Sequence, residues 1–197
     1  MTPRAFTTSG RRPRCPQRVA AGALALALAA ALGLGAPAAQ ADQGLDLALT
    51  AGTGKHQVRK LGLVLGWTQP EPLWQGAHWR LRLRHEAELA TWRVPDAPDV
   101  LELGYSPVLR LERPLGGAHT VFFVEGSIGV RMLSHTHVGA HRLSTAFQFS
   151  DQLGLGWQWG AQGRHTLGLR LQHISNADIK QPNPGMDFWQ LLYRYRF

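Results

Sequence analysis

The feature that most constrains the fold of this chain is a two-residue alternation of apolar and polar side chains after residue 41. In residues 79–84 (Trp-Arg-Leu-Arg-Leu-Arg), the apolar side chains share one parity and the arginines share the other. This period is that of a β-strand, whose successive side chains point to opposite faces. Turns rich in glycine and proline separate the alternating segments, so the sequence predicts an all-β chain of eight antiparallel strands. The segments are 43–53, 57–68, 77–92, 99–113, 119–133, 145–159, 164–176 and 187–197.

The polar faces of these segments bear on the kind of barrel that they form. In a soluble barrel of the lipocalin type, the apolar face points inward and the charges face water. Here the polar face carries charges of both signs, which can pair inside, and an eight-stranded barrel is just wide enough for side chains to fill. Tryptophans and tyrosines near the segment ends would form the aromatic girdles of a membrane barrel. Alternation alone favours the membrane barrel and leaves the soluble one open.

The last residues of the chain favour the membrane barrel further. Phe197 is preceded at every second position by Tyr195, Tyr193, Leu191 and Trp189. This ending resembles the C-terminal signature by which outer-membrane barrels are recognised for assembly. We therefore expect an eight-stranded antiparallel transmembrane β-barrel in the outer membrane. Both termini should be periplasmic, because an even number of strands returns the chain to its starting side.

The first 41 residues have the composition of a cleaved secretory signal peptide. Basic residues without an acid precede an apolar stretch at 19–36, and Ala39-Gln40-Ala41 offers small residues at a cleavage site. A transmembrane helix is the alternative, but the stretch is short for a span of about 20 residues and ends at Pro37. We expect a signal peptide over 1–41 and a single barrel domain over 42–197.

Removal of this segment limits the partners and the chemistry of the remaining chain. The formal net charge of +8 includes the arginines of residues 1–18, so nucleic acid is not an expected partner. Cys15, the only cysteine, also lies there, which leaves the mature chain without a disulfide or a thiol nucleophile. His135 and His137 could form a transition-metal pair, but a polar loop near lipid phosphates is the favoured interpretation. We expect neither a metal nor a cofactor.

Three polar residues occupy positions where the alternation demands apolar ones. His173 and Ser175 share the parity of Leu171. Asp187 shares the parity of Trp189. A polar group that faces hydrocarbon without a partner is costly. The three can satisfy one another as a nucleophile, a base and an acid that orients the base. A bare His-x-Ser is weak evidence by itself, since rim residues that contact lipid headgroups have the same pattern.

Asp151 is a further polar residue on the apolar parity, between Phe149 and Leu153. A β-bulge, which shifts the parity of a strand, would account for it, and so would a position at the rim. The sequence leaves both interpretations open.

Residues 173–185 (His-Ile-Ser-Asn-Ala-Asp-Ile-Lys-Gln-Pro-Asn-Pro-Gly) resemble the signature of the lipid A 3-O-deacylase (PagL) family. The resemblance implies an eight-stranded outer-membrane barrel with Ser175 as the nucleophile and His173 as the base. The third member in that family is usually glutamate at the position of Asp187, so this sequence departs there. Aspartate is nevertheless the usual acid of such triads on other folds.

The same resemblance implies hydrolysis of the hydroxyacyl ester at position 3 of lipid A through an acyl-serine. The expected partners are lipid A or lipopolysaccharide as substrate and the lipid of the outer membrane. Asn176 and Asn183 match asparagines of the family and are candidates for the oxyanion hole, with amides of the turn 177–185. Two alternatives stay open: a non-enzymatic structural or adhesive barrel, and an outer-membrane phospholipid esterase. A homodimer is open as well.

Overall fold

Eight long strands form one closed antiparallel sheet in the computed structural model, which describes residues 44–116 and 119–197. They are β1 Leu45–Gly54, β2 Arg59–Thr68, β4 Arg80–Arg93, β5 Val100–Pro114, β6 Val121–Leu133, β9 Phe147–Trp159, β10 His165–Ser175 and β11 Met186–Arg196. Short strands complete the series: β3 Trp74–Gln75, β7 His137–Val138 and β8 His141–Arg142. Each long strand pairs with the next one along the chain, and the pairing of β1 with β11 closes the barrel.

The predicted all-β barrel is confirmed, and each predicted segment coincides with one long strand to within three residues at either end. The short strands were not predicted, because a two-residue strand carries no alternation. The helices in the described part of the chain are single turns of 3-10 type, at Lys55–Gln57 and Ala161–Gly163. Within that part, no helix has the length and apolar character needed to cross a membrane. The predicted signal peptide lies outside the described residues.

The two faces of the sheet have opposite character, and the polar face is the buried one. Arg84 and Arg131 are at most 1% exposed, inside the barrel. Leu103, Ile128 and Leu153 are 61%, 71% and 62% exposed, on the outside. A water-soluble barrel would bury its apolar face, whereas a membrane barrel turns that face to lipid and keeps a polar interior. The structure therefore decides against the soluble alternative.

The buried charges of the interior pair with one another. Arg170 lies 2.9 Å from Glu86 and 2.8 Å from Glu125, and so joins two acids on different strands. Lys60 and Arg131 each lie 2.7 Å from Glu102. A buried charge is costly unless it has partners, so these contacts determine which side chains can occupy the interior. The acids of this interior network are Asp46, Glu86, Glu88, Glu102 and Glu125, and its bases are Lys60, Arg84, Arg110, Arg131, Arg170 and Arg194.

One end of the barrel is filled by apolar side chains instead. Val138 and Leu143, from the loop between β6 and β9, are buried with Trp92 and Phe188 in one cluster. This end also carries residues 176–185, between β10 and β11. The described chain begins and finishes at the opposite end, because Asp46 pairs with Arg196 there, whereas Gly54 pairs with Phe188.

Glu125→Leu tests the interior network. It removes the carboxylate that lies 2.7 Å from Arg110 and 2.8 Å from Arg170. Because two buried guanidinium groups then lose an anion, the free energy of unfolding in detergent micelles should fall by about 3–5 kcal/mol. Urea titration followed by tryptophan fluorescence measures this. The matched control is Glu71→Leu, at an exposed turn position, which should change stability by less than about 0.5 kcal/mol. Equal stability of the two variants would contradict the network's role.

Candidate active site

Strands β10 and β11 bring His173 and Asp187 together on the apolar exterior. The two residues lie directly opposite each other in the antiparallel register, where Cβ atoms are about 5 Å apart. Their side chains are 44% and 35% exposed. Gln172 and Ile174, on either side of His173 in the chain, are fully buried. Ser175 is half-buried and lies on the same face as His173.

A short hydrogen bond joins the imidazole to the carboxylate. Nδ1 of His173 lies 2.6 Å from Oδ1 of Asp187. When Nδ1–H donates to that oxygen, the ring is held in the tautomer that leaves Nε2 free to accept a proton. The other oxygen of Asp187, Oδ2, lies 2.6 Å from Nζ of Lys55. Sequence reasoning missed Lys55, because a lone lysine after the first strand carries no local signal that it reaches the last one.

The imidazole extends from Asp187 towards the level of Ser175. Ile174 lies opposite Met186 in the antiparallel register. Gly185, which precedes Met186, therefore lies at the level of Ser175, which follows Ile174. A Cβ built on Gly185 would lie 2.7 Å from Cε1 and 3.2 Å from Nε2 of His173. The far edge of the ring, with Nε2, is therefore at that level.

The remaining link of the predicted triad is not formed as a hydrogen bond. The side-chain hydrogen bonds of the described residues include the one from His173 to Asp187 and none between His173 and Ser175. Such bonds are often long without substrate and tighten when substrate binds. The arrangement thus pairs the imidazole of His173 with the carboxylate of Asp187 and places Ser175 two residues after His173, on the same strand and face.

The side-chain amide of Asn176 is committed to structural contacts. Asn176 is fully buried, and its Nδ2 donates to the carbonyl oxygens of Leu143 at 3.0 Å and Lys180 at 2.8 Å. An amide NH₂ group carries two hydrogens, so both are used. Asn176 therefore ties the loop before β9 to the loop after β10, and its amide does not face the site.

Asn183 lies at the half-buried edge of the same turn. Its Oδ1 accepts a hydrogen bond from the backbone N–H of Asn176, and its Nδ2 donates to Oδ1 of Asp178, both at 3.0 Å. Among the described contacts, only one of its two amide hydrogens is used. Ala177 and Asp178 have φ values of 50° and 61°, in a region that L-residues seldom adopt. Strained backbone of this kind often occurs at functional sites.

Asp151 does not lie at a bulge. The pairing of β9 with β10 continues in one register from Ser175 to His165. Asp151 is exposed and lies directly opposite His173, on the side away from Asp187. The imidazole is thus flanked by carboxylate residues on both neighbouring strands, near the rim.

The described histidines of the loop between β6 and β9 do not form a metal centre. Among the described residues, no group of three or more His, Cys, Asp or Glu side chains is placed to hold an ion. His141 instead lies against His56, with ring centroids 3.9 Å apart. His135 and His137 are both exposed. The contact between His141 and His56 joins the loop between β6 and β9 to the turn between β1 and β2.

Comparisons with known proteins agree on one family. The family model described as lipid A 3-O-deacylase (PagL) matches residues 57–196. The lipid A deacylase PagL of Bordetella bronchiseptica is 35% identical over 163 residues, which cover 81% of this chain and 86% of that protein. The protein of the same name from Pseudomonas aeruginosa is 31% identical over 153 residues, covering 77% of this chain and 86% of that protein. A crystal structure of the outer membrane enzyme PagL has a TM-score of 0.71 at 29% identity, covering 77% of this chain and 99% of that one.

Gly185→Ala tests the position of the imidazole. The added Cβ would press on Cε1 of His173, so we expect labelling of Ser175 by a fluorophosphonate probe to slow at least tenfold, roughly the effect of a small misplacement. Gly139→Ala is the control. Gly139 has a φ of 61°, close to the 63° of Gly185, but its Cβ would meet only Val94, at 3.8 Å. Labelling of both variants at the wild-type rate would show that His173 does not depend on this space.

Proposed function

The chain belongs to the lipid A 3-O-deacylase (PagL) family, and on that premise we propose how it hydrolyses the 3-position hydroxyacyl ester of lipid A in the outer membrane. Ser175 is the nucleophile, His173 the general base and Asp187 the acid that orients it. The observation that carries this assignment is the 2.6 Å contact between His173 and Asp187 on the lipid-facing surface, beside Ser175.

The reaction proceeds through an acyl-serine. Oγ of Ser175 attacks the ester carbonyl while Nε2 of His173 takes its proton, and Asp187 stabilises the imidazolium that forms. The tetrahedral intermediate collapses, and the sugar 3-oxygen leaves with the proton from Nε2. A water molecule, deprotonated by Nε2, then attacks the acyl-serine. It releases the 3-hydroxy fatty acid and restores Ser175.

The developing oxyanion needs hydrogen-bond donors that the ground state does not use. Asn183 is a better candidate than Asn176 for donating a hydrogen bond to the oxyanion. Only one amide hydrogen of Asn183 has a described partner, whereas both amide hydrogens of Asn176 are donated to carbonyls. The backbone amides of the strained turn at Ala177 and Asp178, directly after the Ser175-Asn176 pair, are further candidates.

The placement of the site suits a substrate that never leaves the membrane. Lipid A is held in the outer leaflet, and residues 173–187 lie at the barrel end opposite the two ends of the described chain. We therefore orient this end outward. Both termini then face the periplasm, because an even number of strands places them on the same side of the membrane. Lipid A then reaches the serine by lateral diffusion. All three side chains come from one chain.

The first test is mass spectrometry of lipid A from cells that express the wild-type chain or Ser175→Ala. The wild type should remove one 3-hydroxyacyl chain, and Ser175→Ala should remove none. Ser127→Ala, on β6, is the matched control and should behave as the wild type. Unchanged lipid A with folded wild-type protein would refute the deacylase function. Lysophospholipid in its place would indicate the phospholipid esterase.

The second test concerns the acid. Asp187→Asn cannot stabilise an imidazolium and favours the wrong tautomer of His173, so turnover should fall by about 10²–10⁴ with the barrel intact. Asp187→Glu keeps the charge and should retain activity within about tenfold. Asp151→Asn is the control, because Asp151 flanks His173 on the other strand. Full activity of Asp187→Asn in a purified assay would mean that another group orients the base.

A further inference from the structure

Lys55 has no part in the three-residue mechanism, yet it contacts the acid of that mechanism directly. We propose that Lys55 is a positioning residue, which holds the carboxylate of Asp187 in the orientation that binds His173. The inference rests on the proposed triad. Its basis is the 2.6 Å contact of Lys55 Nζ with Oδ2 of Asp187, while Oδ1 of the same carboxylate contacts the imidazole.

The approach of the first turn to the last strand is built into the backbone. Gly54, the residue before Lys55, lies opposite Phe188 in the pairing of β1 with β11. A Cβ on Gly54 would lie 2.8 Å from the carbonyl oxygen of Asp187 and 2.9 Å from the ring of Phe188. Only glycine permits this closeness without a shift of the neighbouring atoms. The turn therefore begins beside Asp187, and Lys55 is its first residue after Gly54.

The turn that carries Lys55 is anchored on its other side as well. Val58 is fully buried in the apolar cluster at this end of the barrel, and its carbonyl accepts a hydrogen bond from the N–H of Gly54 at 2.8 Å. The ring of His56 lies against that of His141. Because the backbone on both sides of Lys55 is held, the lysine loses less freedom when it binds Asp187 than a lysine on a loose loop would.

The chemistry of the carboxylate gives this contact a purpose. The terminal torsion of an aspartate is broad, so a single bond to His173 leaves the carboxylate plane free to rock. A second, charge-assisted bond on the other oxygen fixes that plane and keeps Oδ1 directed at Nδ1. The lysine is 61% exposed and the aspartate 35%, so water weakens the pair. The expected effect on turnover is therefore moderate and smaller than that of removing the carboxylate itself.

A competing role for Lys55 makes a different prediction. An exposed lysine near an anionic lipid can attract the phosphates of lipid A without acting through Asp187. In that case removal of the Lys55 side chain raises KM, and it does so even when Asp187 has already been replaced by a neutral residue. If Lys55 is a positioning residue, its substitution lowers kcat and leaves KM unchanged. The substitution then has no further effect once the carboxylate of Asp187 has been removed.

The experiment is a double-mutant cycle with purified lipid A in detergent mixed micelles. Lys55→Met should lower kcat about tenfold with KM unchanged, and Lys55→Arg should restore kcat to within about threefold of the wild type. Lys55→Met combined with Asp187→Asn should be no slower than Asp187→Asn alone. Arg59→Met removes another exposed cation at the same end of the barrel and should leave both constants unchanged.

The outcomes separate this inference from the proposed function. Wild-type kcat for Lys55→Met, with Asp187→Asn inactive, would overturn the positioning role and leave the triad standing. A further tenfold loss in the double variant, or a rise in KM alone, would also overturn it, since Lys55 would then act elsewhere. Full activity of Asp187→Asn would overturn the acid of the triad and the role of Lys55 together. Resistance of unboiled samples to unfolding in SDS checks that each barrel is intact.

Discussion

The structure depends first on the pairing of backbone groups across the whole sheet. In lipid no water is present to bind an unpaired N–H or C=O group, so a sheet that faces hydrocarbon must close on itself. Closure here is made by β1 and β11, the first and last strands, in a register that pairs Gly54 with Phe188. The same register brings the turn after β1 to the residue that begins the proposed site. The closing seam of the barrel and the edge of the site are thus one place.

Closure also decides which side chains must be paired. The interior is filled with charges that satisfy one another, as Arg170 does between Glu86 and Glu125. On the exterior, polar groups have few partners. The polar groups of the site nevertheless pair with one another, as the charges of the interior do. His173, Asp187 and Lys55 form a short chain of contacts at the apolar surface. A polar group can be retained there because its neighbours on the adjacent strand and turn stabilise it.

The loops at this end support the site from inside the barrel. Asn176 binds the carbonyl of Leu143, and Ser144 Oγ donates to the carbonyl of Pro182 at 2.7 Å. The loop before β9 is therefore fixed against the turn that follows Ser175. Since loops are usually the most mobile part of a barrel, these contacts explain how a site at the rim can keep a defined geometry. Asn176, next to the proposed nucleophile, contributes by holding this turn in place.

The sequence by itself determined the eight strands, which side chains of a strand share a face, and that His173, Ser175 and Asp187 lie on the apolar face. It could do so because the period of a strand is local and is readable without knowing any partner. The tertiary structure decided what the local pattern does not contain. It joined Lys55 to Asp187, committed the amide of Asn176 to two carbonyls and showed that Asp151 lies opposite His173 without a bulge. Those facts depend on the register between strands and on loops that meet across the barrel mouth, and neither is written in the alternation of a single strand.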